Sequence, residues 1–523
     1  MIAHRSGLAR RSRTLAFRAT PAAACLVALS AAAGAQGTAT LSLEHVFTAL
    51  LQHNPDIAKA QASVDVERGA LVQARYPFDL RPRAALTNSR TVQSANSDVT
   101  QAVPSYVTLA SRTKLELTKL FRSGIQVASE LAVERTSPAE LGGPTLNRLI
   151  ADASVTVPLM QGRDGGLLAA VEHAAAKSHA AARQTLRSTA GAALFRATVA
   201  YWEYVAAFQR AAIHGAAARR SRQIVDEITI LIRADERPRS DLDLMVANAA
   251  SKQVAQLRAE RQIIDARTAL AGAIGLDLDQ AATLADPGTA FPEQDETRHT
   301  PAVDEMIRDA LARHDALAAA QTRRDSARAL RDAAARQLKP RVDLLVGAGY
   351  TGQAGGGGIG RLFHPLFHNT LGPNASVQLL VEPSAINSLL RGTLISSDAS
   401  YVQAVTAADA LARGLRLQIA NAAEGLANSR AQLDRTQEAV DRSRLALATV
   451  QRTFELGNAT LFDRILAEDT LTNAELADLG ARQEHAMALA ELQSARGLVV
   501  EWRDGHLVAD ARRVLRASRG DGR

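Results

Sequence analysis

The 523-residue chain contains a single cysteine, Cys25, and that cysteine lies in a stretch that reads as a secretory signal peptide. Arg5, Arg10, Arg11, Arg13 and Arg18 precede an apolar run over residues 22–33, and Ala33-Gly34-Ala35 supplies the small-residue cleavage pattern before Gln36. The Arg10-Arg11 pair is a weak twin-arginine signal. Cys25 follows Ala22-Ala23-Ala24 as an alternative lipidation site would require, but it sits inside the apolar run rather than after it. Removal of residues 1–35 leaves no thiol, which excludes disulfides and thiolate metal centres. Aromatic residues are also few, at 4%. After Gln36 no run of about 18 apolar residues occurs, which excludes a transmembrane helix. A one-signed charge is absent too. The formal +7 shrinks once the five leader arginines go, leaving 56 basic against 54 acidic residues, so the case for a nucleic-acid partner fails. An exported, nearly neutral, alanine-rich chain remains: periplasmic, secreted, or held in an outer membrane as β-structure.

Proline is missing from residues 384–456, and there Ile419, Leu426, Leu433, Val440, Leu447 and Phe454 recur every seventh position. Three places on lie Ala422, Ser429, Thr436, Ser443 and Val450, mostly small. A sustained heptad keeps one seam facing a partner helix. At 1.5 Å per residue, roughly 70 residues reach about 105 Å. The pattern breaks at Leu456-Gly457-Asn458-Ala459-Thr460 and then resumes, predicting a long helical hairpin with a tight tip.

The same plan appears earlier in the chain. Helical patterning over residues 42–75, interrupted at Asn54-Pro55, gives way to alternating β-texture over about 82–158, where Arg122-Ser123-Gly124 reads as a hairpin turn. A helical hairpin follows over about 159–275, with Tyr201, Trp202 and Tyr204 read as packing residues, and a linker over 276–300. The second copy, 301–502, repeats helix, a β-segment at about 340–382, and the hairpin at about 384–500. A charged tail, 503–523, is expected to be disordered. Ala49-Leu50-Leu51-Gln52-His53 answers Ala310-Leu311-Ala312-Arg313-His314, Arg81-Pro82-Arg83 answers Lys339-Pro340-Arg341, and Ala153-Ser154-Val155 answers Ala375-Ser376-Val377. One unit, covering 36–300, has been duplicated. Two or four strands per copy cannot close a sheet, and open edges do not survive in lipid. The β-segments must therefore pool between copies and between chains, giving a shared barrel continued by a helical tube. The fold class is mainly α with a β-barrel part.

These residues resemble the TolC family of outer-membrane efflux and export channels. Asn54-Pro55-Asp56-Ile57 is similar to the family's N-terminal segment, Pro158-Leu159-Met160-Gln161-Gly162 to its strand-to-helix junction, and residues 454–463 to the tip of its second hairpin. The resemblance implies a homotrimer in outer-membrane lipid, with a twelve-stranded barrel built from four strands per protomer. A periplasmic α-helical barrel would follow, whose tips meet a periplasmic adaptor serving an inner-membrane pump. It implies a passive duct of a tripartite efflux or type I secretion system, with no cofactor, no metal and no catalysed reaction. Asp463 and Phe454 then become candidates for the periplasmic aperture. Leu456, Gly457, Asn458, Ala459 and Thr460, with Arg237, Pro238, Arg239 and Ser240 of the first tip, become candidates for adaptor docking. The family's gating arginine is Ala459 here and its second aspartate Leu466, so a latch on those groups is not expected. Arg237 replaces the first tip's glycine, Asp243 matches a family aspartate, and the second glycine-rich junction becomes Val381-Glu382-Pro383-Ser384. The first β-region holds up to four strand-like pieces, which leaves room for an extra hairpin outside the barrel. Asp463 also reads simply as a first-turn acid favoured at a helix N-terminus. His364 and His368 flank a proline beside the glycine-rich residues 355–360, a pattern of a loop rather than a metal pair. No nucleophile, base and oxyanion donor are arranged together. The alternative is a periplasmic or surface coiled-coil scaffold or adhesin without a pore.

Overall fold

Short polar residues set the first two helices. The Ser42 hydroxyl accepts from His45 N and opens α1 (Leu43–His53); the Asn54 side chain accepts from Asp56 N and Ile57 N and opens α2 (Pro55–Arg75), with Pro55 in the first turn where no N–H is needed. In this computed structural model the described residues are 40–94, 105–138, 145–234, 238–292, 302–357, 372–384, 386–497, 500–503 and 506–509. The expected signal peptide with Cys25, the expected loop of His364 and His368, Arg237 and the end of the chain from residue 510 lie outside them.

After α2 come four strands, β1 (Arg81–Ser94), β2 (Ser105–Leu120), β3 (Gln126–Pro138) and β4 (Leu146–Pro158), and then helices α3 (Gly166–Arg233), α4 (Ser240–Ile274) and α5 (Leu278–Ala282). The second copy supplies α6 (Val303–Arg313), α7 (Asp315–Gln337), β5 (Arg341–Gly355), β6 (Gly372–Glu382), α8 (Ser388–Glu455) and α9 (Leu461–Ala495). The duplication shows in the lengths: α3 and α8 each have 68 residues, and α4 and α9 each have 35. Each 68-residue helix is about 100 Å long at 1.5 Å per residue. The equal 11-residue helices α1 and α6 align Leu50 with Ala310 and Val46 with Met306, all fully buried. That sets the repeat one residue away from the sequence alignment of His53 with His314.

The heptad governs α8. Ile419, Leu426, Leu433, Val440, Leu447 and Phe454 are all buried, as are Ala408, Leu415, Ala422 and Ser429, which form the neighbouring row. Tyr201, Trp202 and Tyr204 anchor the main core beneath the first copy with Leu43, Phe47 and Leu270, and the Tyr201 hydroxyl donates to Leu41 O at 2.9 Å.

The strands form one antiparallel sheet in the order β1-β2-β3-β4-β5-β6, the two copies meeting along β4–β5. The sheet of one chain thus has six strands where the resemblance implied four, because all four strand-like pieces of the first β-region pair in sequence. The chain end differs from expectation as well. The return helix stops at Ala495, and β7 (Val500–Arg503) pairs with β8 (His506–Ala509), whose Leu507 and Ala509 pack against the main core. Two apolar anchors outweigh the charge of their neighbours there, so residues 506–509 are packed; the rest of the expected disordered tail lies outside the described residues. Among the described residues no helix is long and apolar enough to cross a membrane.

The β2–β3 turn is closed by Phe121 N donating to Ile125 O and Gly124 N to Phe121 O. Gly124 has φ of +90°, and a Cβ there would lie 2.2 Å from Gly162 O at the strand-to-helix junction. Gly457 has φ of +77° but open space around it. Gly457→Ala should thus cost only the left-handed penalty of about 1–2 kcal/mol. Gly124→Ala should cost more, since backbone must move; the check is the thermal unfolding midpoint of each variant followed by circular dichroism.

Candidate functional site: the hairpin tips

The second tip is closed at one end by its own backbone and at the other by a pair of side chains. Leu456 ends α8, Gly457 takes the left-handed conformation, and two bonds complete the cap: Gly457 N donates to Phe454 O at 3.0 Å and Asn458 N to Thr453 O at 2.8 Å. Two residues on, Thr460 opens α9 with a reciprocal cap. Its hydroxyl accepts from Asp463 N at 3.2 Å, while the Asp463 carboxylate accepts from Thr460 N at 2.8 Å and from the hydroxyl at 2.6 Å. The side-chain bond from Thr460, then its backbone bond, holds the Asp463 carboxyl below its ordinary value. Asp463 is thus ionised at neutral pH and locally engaged.

Phe454 points inward. It packs with Ile224 and Ile228 of α3, Met245 of α4 and Leu461 of α9, so one cluster draws on all four long helices and brings both tips to the same end of the molecule. The Arg464 guanidinium lies 5.4 Å from the Phe454 ring centroid and pairs with Glu227 of α3 at 2.6 Å. Ala459 packs against the same cluster, while Leu456, Phe462 and Leu466 are more than half exposed beside it. Pro238 and Arg239 are exposed just before α4, and Ser240 is its first residue.

Above the tips, polar contacts cross between the copies. Arg220 of α3 reaches Glu468 of α9 at 2.6 Å and Thr472 at 3.3 Å, and Lys252 of α4 pairs with Asp469. Sequence reading missed these groups, since each partner lies more than two hundred residues away and neither residue belongs to a local motif. The α8–α9 seam carries a buried imidazole that was also missed: His485 Nδ1 meets the Ser429 hydroxyl at 3.1 Å. Its heptad partner Ser429 was the available signal, a polar residue in an otherwise apolar row. No group of residues suited to holding a metal occurs among the described residues.

The chain as a whole superposes on several solved outer-membrane structures. VceC, an outer membrane protein of Vibrio cholerae, is 20% identical and superposes with a TM-score of 0.62, the match covering 87% of this chain and 96% of that one. The CmeC outer membrane channel of Campylobacter jejuni is 12% identical with a TM-score of 0.65, covering 87% and 85%. A membrane protein of Pseudomonas aeruginosa is 17% identical with a TM-score of 0.65, covering 87% and 90%. Residues 306–498 match the outer membrane efflux protein family. The fold is that of the TolC-like outer-membrane channels. No curated protein matches the chain by sequence. The family match spans α7 to α9 with nearly all of α6, and so includes the second tip; it points to transport rather than to catalysis.

Two outcomes follow for this channel fold. Phe454→Ala should cost about 3–5 kcal/mol locally and loosen both tips, read as faster trypsin cleavage at Arg452 and Arg464. Burial, then Arg430, pushes His485 below its ordinary imidazole value, so the folded state resists protonation. Stability should be complete above the unfolded imidazole range and should fall as pH drops through it. Helix melting followed by circular dichroism should show a downward shift between pH 7.5 and 5.5 that His485→Gln reduces, His214 and His314 being held below the ordinary imidazole value by burial as well.

Proposed function

We propose that three copies of this chain form an outer-membrane efflux or type I secretion duct, with the sheet in the outer membrane and the helices in the periplasm. The observation that carries this reading is the union of one sheet whose outer edges have no strand partner among the described residues with two helical hairpins far longer than a globular core needs. The homotrimer is the arrangement that supplies edge partners, and the N-terminal 35 residues are the export signal. The duct is passive: a periplasmic adaptor docks at the tips and an inner-membrane pump supplies the work.

The docking face follows from exposure. Leu456 and Phe462 flank the Gly457–Thr460 turn and stand in solvent at 75% and 65%, while the turn is held rigid by the two caps. A rigid, partly apolar knuckle suits a helical partner inserted between neighbouring tips. The first tip, with Pro238, Arg239 and Ser240, offers the equivalent site, and Arg237 belongs with it. Asp463 is the proposed aperture group. Three such carboxylates around an axis would concentrate negative potential and favour cations. Phe454 supports that ring from beneath by packing rather than by lining the opening.

Purified protein in planar bilayers tests both parts. The mature chain should form stable channels with a cation preference, and Asp463→Asn should weaken the preference without abolishing conductance. Absence of any channel would overturn the duct. Unchanged selectivity would return Asp463 to its capping role alone.

A further inference from the structure

The geometry points to a barrel wall of six strands from each protomer, eighteen in the closed trimer, with the inserted strands β2 and β3 forming wall rather than an external flap. This rests on the trimeric reading above.

The repeat identifies what was added. In the second copy α7 leads into β5, β6 leads into α8, and β5 pairs directly with β6. The counterparts in the first copy are β1, which follows α2, and β4, which leads into α3. Were the intervening hairpin a flap, β1 and β4 would pair as β5 and β6 do. Instead β1 pairs with β2 from Arg81↔Thr118 to Ser94↔Ser105, and β3 with β4 from Gln126↔Thr156 to Thr136↔Leu146. The inserted strands separate β1 from β4 along the paired length.

The chemistry of the two faces agrees. Directly paired residues in an antiparallel sheet share a face, so the register sorts every side chain. One row runs Ala84, Leu115, Leu131, Ala151, Tyr350 and Pro373 across all six strands. Leu86, Leu115, Leu131, Val155, Val346 and Val377 all lie on this side, and all are exposed in the single chain. Alternate positions carry the charges. Glu130 on β3 binds Arg112 at 3.0 Å and Lys114 at 2.9 Å, both on β2, and Lys114 also meets Glu116 at 3.3 Å. An exposed apolar face backed by a paired ionic face is the division between lipid and lumen in a transmembrane barrel. A flap in water would need neither. Asn88 and Arg90 interrupt the apolar side of β1, but Asn88 lies in one row with Ser111, Arg135 and Asn147. That polar row crosses the whole first copy and is no peculiarity of the added strands.

Barrel diameter grows roughly in proportion to strand number, so the outlet would be about 1.5 times as wide as a twelve-stranded one, in the range where barrels leave an open aqueous channel. The size limit on cargo then falls on the helical tips and not on the membrane wall.

Spin labels in the full-length protein, reconstituted in phosphatidylcholine vesicles, test the wall. Nitroxides at Leu115→Cys and Leu131→Cys should collide preferentially with dissolved oxygen, and those at Lys114→Cys and Glu130→Cys with a water-soluble nickel chelate. Nickel preference at all four positions would place β2 and β3 outside the wall and overturn the inference. Oxidative cross-linking of Thr87→Cys on β1 or its neighbours Ser89→Cys and Thr91→Cys to Ser376→Cys on β6, each in one doubly substituted chain, reports separately on trimer closure. A trimer ladder with nickel preference at all four label sites sinks the eighteen-stranded wall alone; no ladder from any pair sinks the trimer.

Discussion

Unpaired backbone at a sheet edge is the constraint on which the rest depends. Among the described residues β1 and β6 each have one strand neighbour, so each presents an outer edge that no described strand pairs. In water such an edge invites aggregation; in lipid it is far more costly, since no solvent can take the place of the missing partner. The exposed apolar side of the sheet asks for lipid, and lipid forbids the open edges. In the proposed assembly another copy of the same sheet satisfies both demands, and symmetric closure does so without leaving a new edge.

Duplication makes that closure economical. A single unit gives one sheet segment and one helical hairpin; two units joined along β4–β5 give a continuous sheet above and four long helices below. The helices are tied across the copies by the Phe454 cluster and by the pairs Arg220–Glu468 and Arg464–Glu227. Partly buried pairs of this kind add modest stability, but they fix which hairpin faces which, and the apolar cluster supplies most of the adhesion. Local caps at Leu456–Gly457 and Thr460–Asp463 let the tip stay rigid without help from neighbours.

The sequence made the helices legible because the seventh-residue pattern from Ile419 to Phe454 is a direct consequence of burial along one seam. The tip was legible for a similar reason, Gly457 and Thr460 being the residues a reversal and a cap require. Strand number was harder to read. Alternation in β1 is broken by Asn88 and Arg90, and the resemblance to a four-stranded pattern pulled the count down. Only the pairing register shows that β2 and β3 stand between β1 and β4. The start of the tail was harder to read because charge dominates its composition, while two residues, Leu507 and Ala509, decide the packing of residues 506–509. Phe454 read as an aperture group by position, yet its neighbours come from helices far away in the chain, which no local pattern discloses.

Self-association of the mature chain in mild detergent is the most direct test of the account, measured as the mass of the intact complex by native mass spectrometry. A mass of three chains, stable on dilution, is the result predicted from edges that only a partner can close. A stable single chain that keeps its β-structure would contradict the central claim, since it would show that the edges need no partner.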